Sequence, residues 1–337
     1  SLSEDLYRAG SVSNPKGAVA AVGTATTGTH TLFNNIVNMG IYDGIFPKGI
    51  TNAGGAMAGG RLAIHWTYPS NPNNWVGIFS HWTNLIGDPA LELWTDTPKV
   101  MEADFLSTID WGTNFIDVHV VDEDGIGVQN ANITLLKGDD EIFKTIQTDY
   151  LGEATIDLNY QVEGEVLLTV TKKNYKPIEE SFFITIDDVM VNVDSNNLII
   201  NDNNGEFTTG NNDGNINPGE TVILEVPLQN LGILPVYDLQ ATLSTDSDLI
   251  NIINNVNQYG NLFADQSSIG TAFYLLTFDN NLTQETQFEL RLEINDSDGN
   301  EWSSLIHPDI EAGNIVFDHF DLIDNFELNP GEQSEIR

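Results

Sequence analysis

The chain has 337 residues, 40% of them hydrophobic and none of them cysteine, with 50 Asp/Glu against 12 Lys/Arg for a net charge of −38. That length gives room for several domains of about 100–200 residues each. The lack of cysteine excludes disulfides, thiolate metal sites and a cysteine nucleophile within these residues, no apolar run approaches the ~18 residues of a membrane helix, and the acidic balance argues against nucleic acid or an anionic membrane as partner.

The charge is unevenly placed. Residues 1–98 hold six acidic and four basic residues, whereas the remaining 239 hold 44 and eight, and from residue 196 onward only Arg291 and Arg337 are basic. Such a surface fits a saline habitat or specific cation binding.

Residues 1–98 read as the end of an α/β domain. SLSE (1–4) is a capping box for a short helix that stops at Gly10. GAVAAVG (17–23) is an apolar run between glycines, the pattern of a buried, parallel strand. TLFNNIVNMGIYDGIF (31–46) has helical spacing, and AGGAMAGGRLAIHWTYP (53–69) is a small-residue helix ended by Pro69. NPNNWVGIFSHW opens a helix with Asn71 as N-cap and Pro72 at the first position, and its apolar stripe runs from Trp75 through Ile86. ALELW (90–94) alternates as a closing strand.

From residue 99 the period changes to two. FIDVHVVD (115–122) puts Ile116, Val118 and Val120 on one face, and Ala131, Ile133 and Leu135 alternate inward after the turn DEDG. Several short strands at about ten-residue spacing predict a β-sandwich over 99–195. A second follows over 196–310, with Val222, Leu224, Val226 and Leu228 inward. The block carrying Asn217–Glu220 recurs 112 residues later as Asn329–Glu332, so 311–337 reads as the start of a further, truncated repeat, and the natural chain is expected to continue.

LYRAG, NPKGAVAAVGTATTGTHTLFNN and FSHWTNLIGDPALELWTDTP together resemble the C-terminal part of the catalytic domain of gingipain-type cysteine peptidases. The resemblance implies a partial α/β caspase-like domain over 1–98 followed by all-β immunoglobulin-like sandwiches, a multidomain arrangement. Residues 114–185 resemble the carboxypeptidase-regulatory-like sandwich, and NDGNINPGETVILEVPLQNLG resembles sandwich modules of secreted bacteroidete peptidases. The family's cysteine and histidine dyad would lie upstream of Ser1, so no catalytic residue is assigned here. The expected partners are a protein or peptide substrate and the missing N-terminal half of the peptidase domain, and the expected location is extracellular or on the cell surface.

The resemblance places His30, with Thr29 and Thr31, in a loop that lines the substrate pocket. The alternative is a loop histidine bonded to nearby backbone. His65 and His81, beside Trp66 and Trp82, read as core or interface histidines. Ser80 and His81 are adjacent on a helix and cannot pair as nucleophile and base, and Asp88 reads as a turn former. The loop 201–220 offers Asp202, Asn204, Asp213, Asn215 and Glu220, oxygen donors of the kind Ca²⁺ takes, outside the EF-hand register. A weaker copy comprises Asp318, Asp321, Asp324 and Glu332. Asp122 and Asp124 read as a hairpin turn.

Two functions stand open at this point. One is a fragment of a secreted gingipain-like cysteine endopeptidase with accessory sandwiches. The other is a non-catalytic cell-surface adhesin or filament component built on a degenerate peptidase scaffold.

Overall fold

The computed structural model describes residues 2–311 apart from 12, 27, 284 and 287. The capping serine at position 1 and the second NPGE repeat, with Asp318, Asp321, Asp324 and Glu332, lie outside the described residues.

The first segment comprises α1 (Leu2–Tyr7), β1 (Ala21–Thr24), α2 (Thr31–Ile45), α3 (Ala53–Thr67), α4 (Trp75–Trp82) and β2 (Thr83–Ile86). Glycine lets α2 and α3 approach closely: a Cβ on Gly40 would stand 2.6 Å from the Ala63 Cβ. Asn52 caps α3 by accepting the Gly55 N–H at 2.7 Å. Phe33, Val37, Ile64, Val76 and Phe79 form a small core, with Phe33 and Phe79 stacked at 4.7 Å.

Three expectations are corrected here. The apolar run does not form a buried parallel strand over 17–23. The strand covers 21–24 and pairs antiparallel with β2, Val22 opposite Leu85, and Val22 is exposed. The helix expected through Ile86 ends at Trp82, because Thr83 turns to extended backbone while both its N–H and its hydroxyl bond the Phe79 carbonyl. Residues 90–94 make a single bridge, Glu92 to Asn52, rather than a strand.

The first sandwich has eight strands. These are β3 (Met101–Phe105), β4 (Thr108–Asp110), β5 (Phe115–Asp122), β6 (Asn132–Lys137), β7 (Ile142–Gln147), β8 (Glu153–Asp157), β9 (Gly164–Thr171) and β10 (Ile178–Thr185). They form a sheet of order β8-β5-β3 and one of order β4-β10-β9-β6-β7. The inward residues read from the alternation, Ile116, Val118, Val120, Ala131, Ile133 and Leu135, all lie in the core between the sheets. The DEDG turn forms as expected, with Asp122 Oδ1 accepting from the backbone N–H groups of Asp124 and Ile126.

The second sandwich comprises β11 (Val191–Val193), β12 (Ile199–Asn201), β13 (Thr221–Glu225), β14 (Leu228–Asn230), β15 (Val236–Ser244), β16 (Ile250–Asn254), β17 (Val256–Leu262), β18 (Ser267–Ser268), β19 (Tyr274–Phe278), β20 (Leu290–Asn295) and β21 (Glu301–Ile306). Sheets of order β12-β13-β19-β16 and β17-β15-β20-β21 enclose Val222, Leu224, Val226 and Leu228, again the predicted inward set. Val191 and Val193, before residue 196, also belong to this core. The chain is thus an α/β segment followed by all-β modules.

Candidate functional site

The loop from β1 into α2 folds on itself. Thr26 Oγ1 accepts the Gly28 N–H at 3.3 Å, and Thr29 Oγ1 accepts from Asn34 Nδ2 at 3.0 Å. His30 is the N-cap of α2, its Nδ1 accepting the Leu32 N–H at 3.2 Å. It therefore does what the simpler alternative required, bonding nearby backbone. With Nδ1 accepting, Nε2 is the ring nitrogen left to donate. The ring sits edge-on to Phe33 at 5.8 Å and is exposed, as is Thr31. Half-buried Thr29, the cap His30 and Thr31 at the first position of α2 are thus consecutive at one helix start, and Nε2–H is a donor not used by the cap.

His65 and His81 are exposed rather than core residues, and His81 Nδ1 lies 2.7 Å from the Gly77 carbonyl. Asp88 forms the expected turn, accepting the Ala90 N–H at 2.8 Å. Arg61 on α3 was not singled out from the sequence. Its Nη2 donates to the Thr83 carbonyl where α4 gives way to β2. Among the described residues, Arg61 Nε and Ser80 Oγ are the buried side-chain atoms without a hydrogen-bond partner. The only available signal was a lone cation inside a run of small residues.

In the acidic loop Asp202 and Glu220 are buried, at 2% and 7% exposure. Asp202 accepts the N–H groups of Asp213 at 2.9 Å and Gly214 at 3.1 Å. Glu220 accepts those of Asn211 at 3.1 Å and Asn217 at 3.0 Å. Asp213 accepts the Asn215 N–H at 2.8 Å, and that bond leads the interactions holding its carboxyl below the usual range. Asn204 instead pairs with Gly210, and Asn215 donates to Glu311. The fold therefore gathers Asp202, Asp213 and Glu220 around the backbone of 211–217 and directs the two asparagines elsewhere. Among the described residues no three His, Asp or Glu side chains converge as metal ligands. Among the same residues no helix is long and apolar enough to cross a membrane.

Residues 1–94 match the model of Peptidase family C25. None of the curated proteins matches this chain. Among solved structures, the Arg-specific cysteine proteinase gingipain R is 22% identical over 54% of this chain and 41% of its own, with a TM-score of 0.42. The complex of Porphyromonas gingivalis RgpB pro- and mature domains is 21% identical over 54% and 42%, also at 0.42. Invasin, a bacterial integrin-binding protein, is 13% identical over 61% and 39%, at 0.22. The chain therefore spans 41% to 42% of the length of the two gingipain chains it matches. The resemblance read over residues 1–98 is met over 1–94, and in that stretch the chain is similar to peptidase family C25.

Proposed function

We propose that residues 1–98 are the C-terminal part of a gingipain-like cysteine endopeptidase domain and that the sandwiches are its accessory modules in a secreted or cell-surface protein. The observation that carries this reading is an open α/β surface within the family match. Among the described residues β1 pairs only with β2, and a two-stranded sheet is marginal by itself. In the same segment α2 presents Met39 (71% exposed) and Tyr42, its C-cap Phe46 is 62% exposed, and α3 presents Trp66 (68%), whose ring lies under Lys48 Nζ at 5.1 Å. We read this exposed apolar surface as an interface. Its occupant in this reading is the N-terminal half of the peptidase domain, which also brings the cysteine that residues 1–337 lack.

The reaction is acyl transfer from a peptide carbonyl to a cysteine thiolate, with histidine as acid and base. Residues 29–31 contribute to the pocket for the substrate side chain before the cut, His30 offering its Nε2–H to an acceptor. For the acidic loop we propose Ca²⁺ as a structural ion at Asp202, Asn204, Asp213, Asn215 and Glu220, which requires the carboxylates to converge on binding and the two asparagines to leave Gly210 and Glu311. It would share oxygens that already accept backbone N–H groups.

The test is to label the native polypeptide with a thiol-directed peptide probe and map the adduct by mass spectrometry. An adduct on a peptide outside residues 1–337 supports the enzyme. A folded native polypeptide that takes no label sinks it and favours the adhesin or filament scaffold.

A further inference from the structure

The second sandwich contains 18 Asp/Glu between residues 196 and 311 and a single Lys/Arg, Arg291. That one cation is not spread on the surface. Arg291 reaches from β20 to Asp117 on β5 of the first sandwich, Nη1 to Oδ2 at 2.6 Å and Nη2 to Oδ1 at 3.0 Å, a two-pronged pair of the kind guanidinium geometry favours. Its guanidinium also lies over the Phe115 ring, 4.5 Å from the centroid. Thr155 Oγ1 donates to Asp117 Oδ1 at 2.7 Å and fixes the carboxylate from the β8 side.

A second hold lies on the same rung of the β20–β21 ladder, because Leu305 is the cross-strand partner of Arg291. β21 is the edge strand of its sheet, and there the Asn114 side chain takes the place of a neighbouring strand. Asn114 Nδ2 donates to the Leu305 carbonyl at 2.7 Å and its Oδ1 accepts the Leu305 N–H at 2.8 Å. Two residues on, His307 Nε2 meets Asp157 Oδ1 at 3.0 Å. Three contacts therefore follow one line between the start of β5 with the end of β8 and the β20–β21 hairpin. Arg291 lines both clefts that flank this line, of about 950 and 750 Å³.

We propose that Arg291 and Asn114 latch the two sandwiches into one body, held closed against the repulsion between two strongly acidic modules. Interfaces between domains of one chain are by default small and mobile, and residues 99–195 hold 20 acidic residues against six basic ones. Repulsion between the modules acts over a Debye length of about 30 Å at 0.01 M salt and about 3 Å at 1 M. The latch contacts are direct, and those of Asn114 carry no charge to screen. Salt therefore relieves the opposing force more than it weakens the latch.

The test is small-angle scattering with calorimetry on the whole chain, in about 10 mM and about 1 M NaCl. The unaltered chain is expected to keep one radius of gyration in both. Arg291→Met is expected to expand at low salt, to separate the melting of the two sandwiches, and to recover compactness at high salt. Asp117→Asn removes a negative charge, so repulsion without a latch predicts compaction, whereas the latch predicts expansion. Asn114→Ala tests the uncharged hold. It also keeps the question decidable should Arg291→Met lose its far-ultraviolet circular dichroism. Unaltered dimensions and melting in Asp117→Asn and Asn114→Ala at low salt would overturn the proposal.

Discussion

On α2 the residues Met39, Tyr42 and Phe46 face solvent, with the last two rings parallel at 6.2 Å, whereas on β13 Val222 and Leu224 are wholly covered and only Thr221, Ile223 and Glu225 are half-exposed. Both patterns start from amphipathic elements. The difference is what lies opposite. Each sandwich supplies two sheets that cover each other's inward apolar faces, while side chains such as Phe143 and Ile233 stay exposed on its outside. The α/β segment buries one face of α2 against α3 and leaves another stripe uncovered. The inward residues of β13 thus meet a second sheet within their own module, whereas Met39, Tyr42 and Phe46 lie outside the small core of the α/β segment.

The largest effects should follow that division. Leu276→Ala, in the closed core of the second sandwich, is expected to cost about 2–5 kcal/mol in urea unfolding. Phe46→Ser, an equally large apolar loss on the open face, is expected to change stability by less than about 0.5 kcal/mol and to reduce self-association of the isolated chain. A cost for Phe46→Ser near that of Leu276→Ala would erase the contrast.

The contrast was legible in the sequence only in part. The sandwich cores were readable because period two is local: each buried residue announces itself two positions from the next. In the α/β segment the stripe Trp82, Leu85, Ile86 continued helical spacing, yet Thr83 closes the helix and 83–86 pair with the distant strand 21–24, Thr24 opposite Thr83. Spacing along the chain cannot report a partner that far away. The Asp117–Arg291 contact is harder still, since the two are 174 residues apart and only the rarity of the cation hinted at a task. His30 was drawn out by resemblance, and its capping bond was missed as a cap because Ser, Thr, Asp and Asn are the residues that pattern looks for.

The acidic loop sharpens the comparison at intermediate size. Its buried carboxylates hold backbone N–H groups that no strand satisfies. Asp202→Ala is expected to cost about 1–3 kcal/mol, the scale of a buried group left without its partner. If Ca²⁺ also sits there, EDTA lowers the melting temperature of the unaltered chain and added Ca²⁺ restores it. An unchanged melting temperature leaves the hydrogen bonds as the sole structural device and ends the calcium proposal.

The smallest effect separates the two jobs of His30. Its Nδ1 caps α2, while Nε2 is the atom free to meet a substrate. An Asn at this position can cap through its own oxygen but cannot place a donor where Nε2 lies. His30→Ala is therefore expected to lower stability by about 1 kcal/mol, the usual value of a lost N-cap, and His30→Asn to leave it nearly unchanged. In the native polypeptide both variants should weaken capture of a peptide substrate, seen as a raised KM, if the loop lines the pocket. A His30→Asn variant with unaltered KM and cleavage preference would reduce His30 to a helix cap and end the substrate role proposed for residues 29–31.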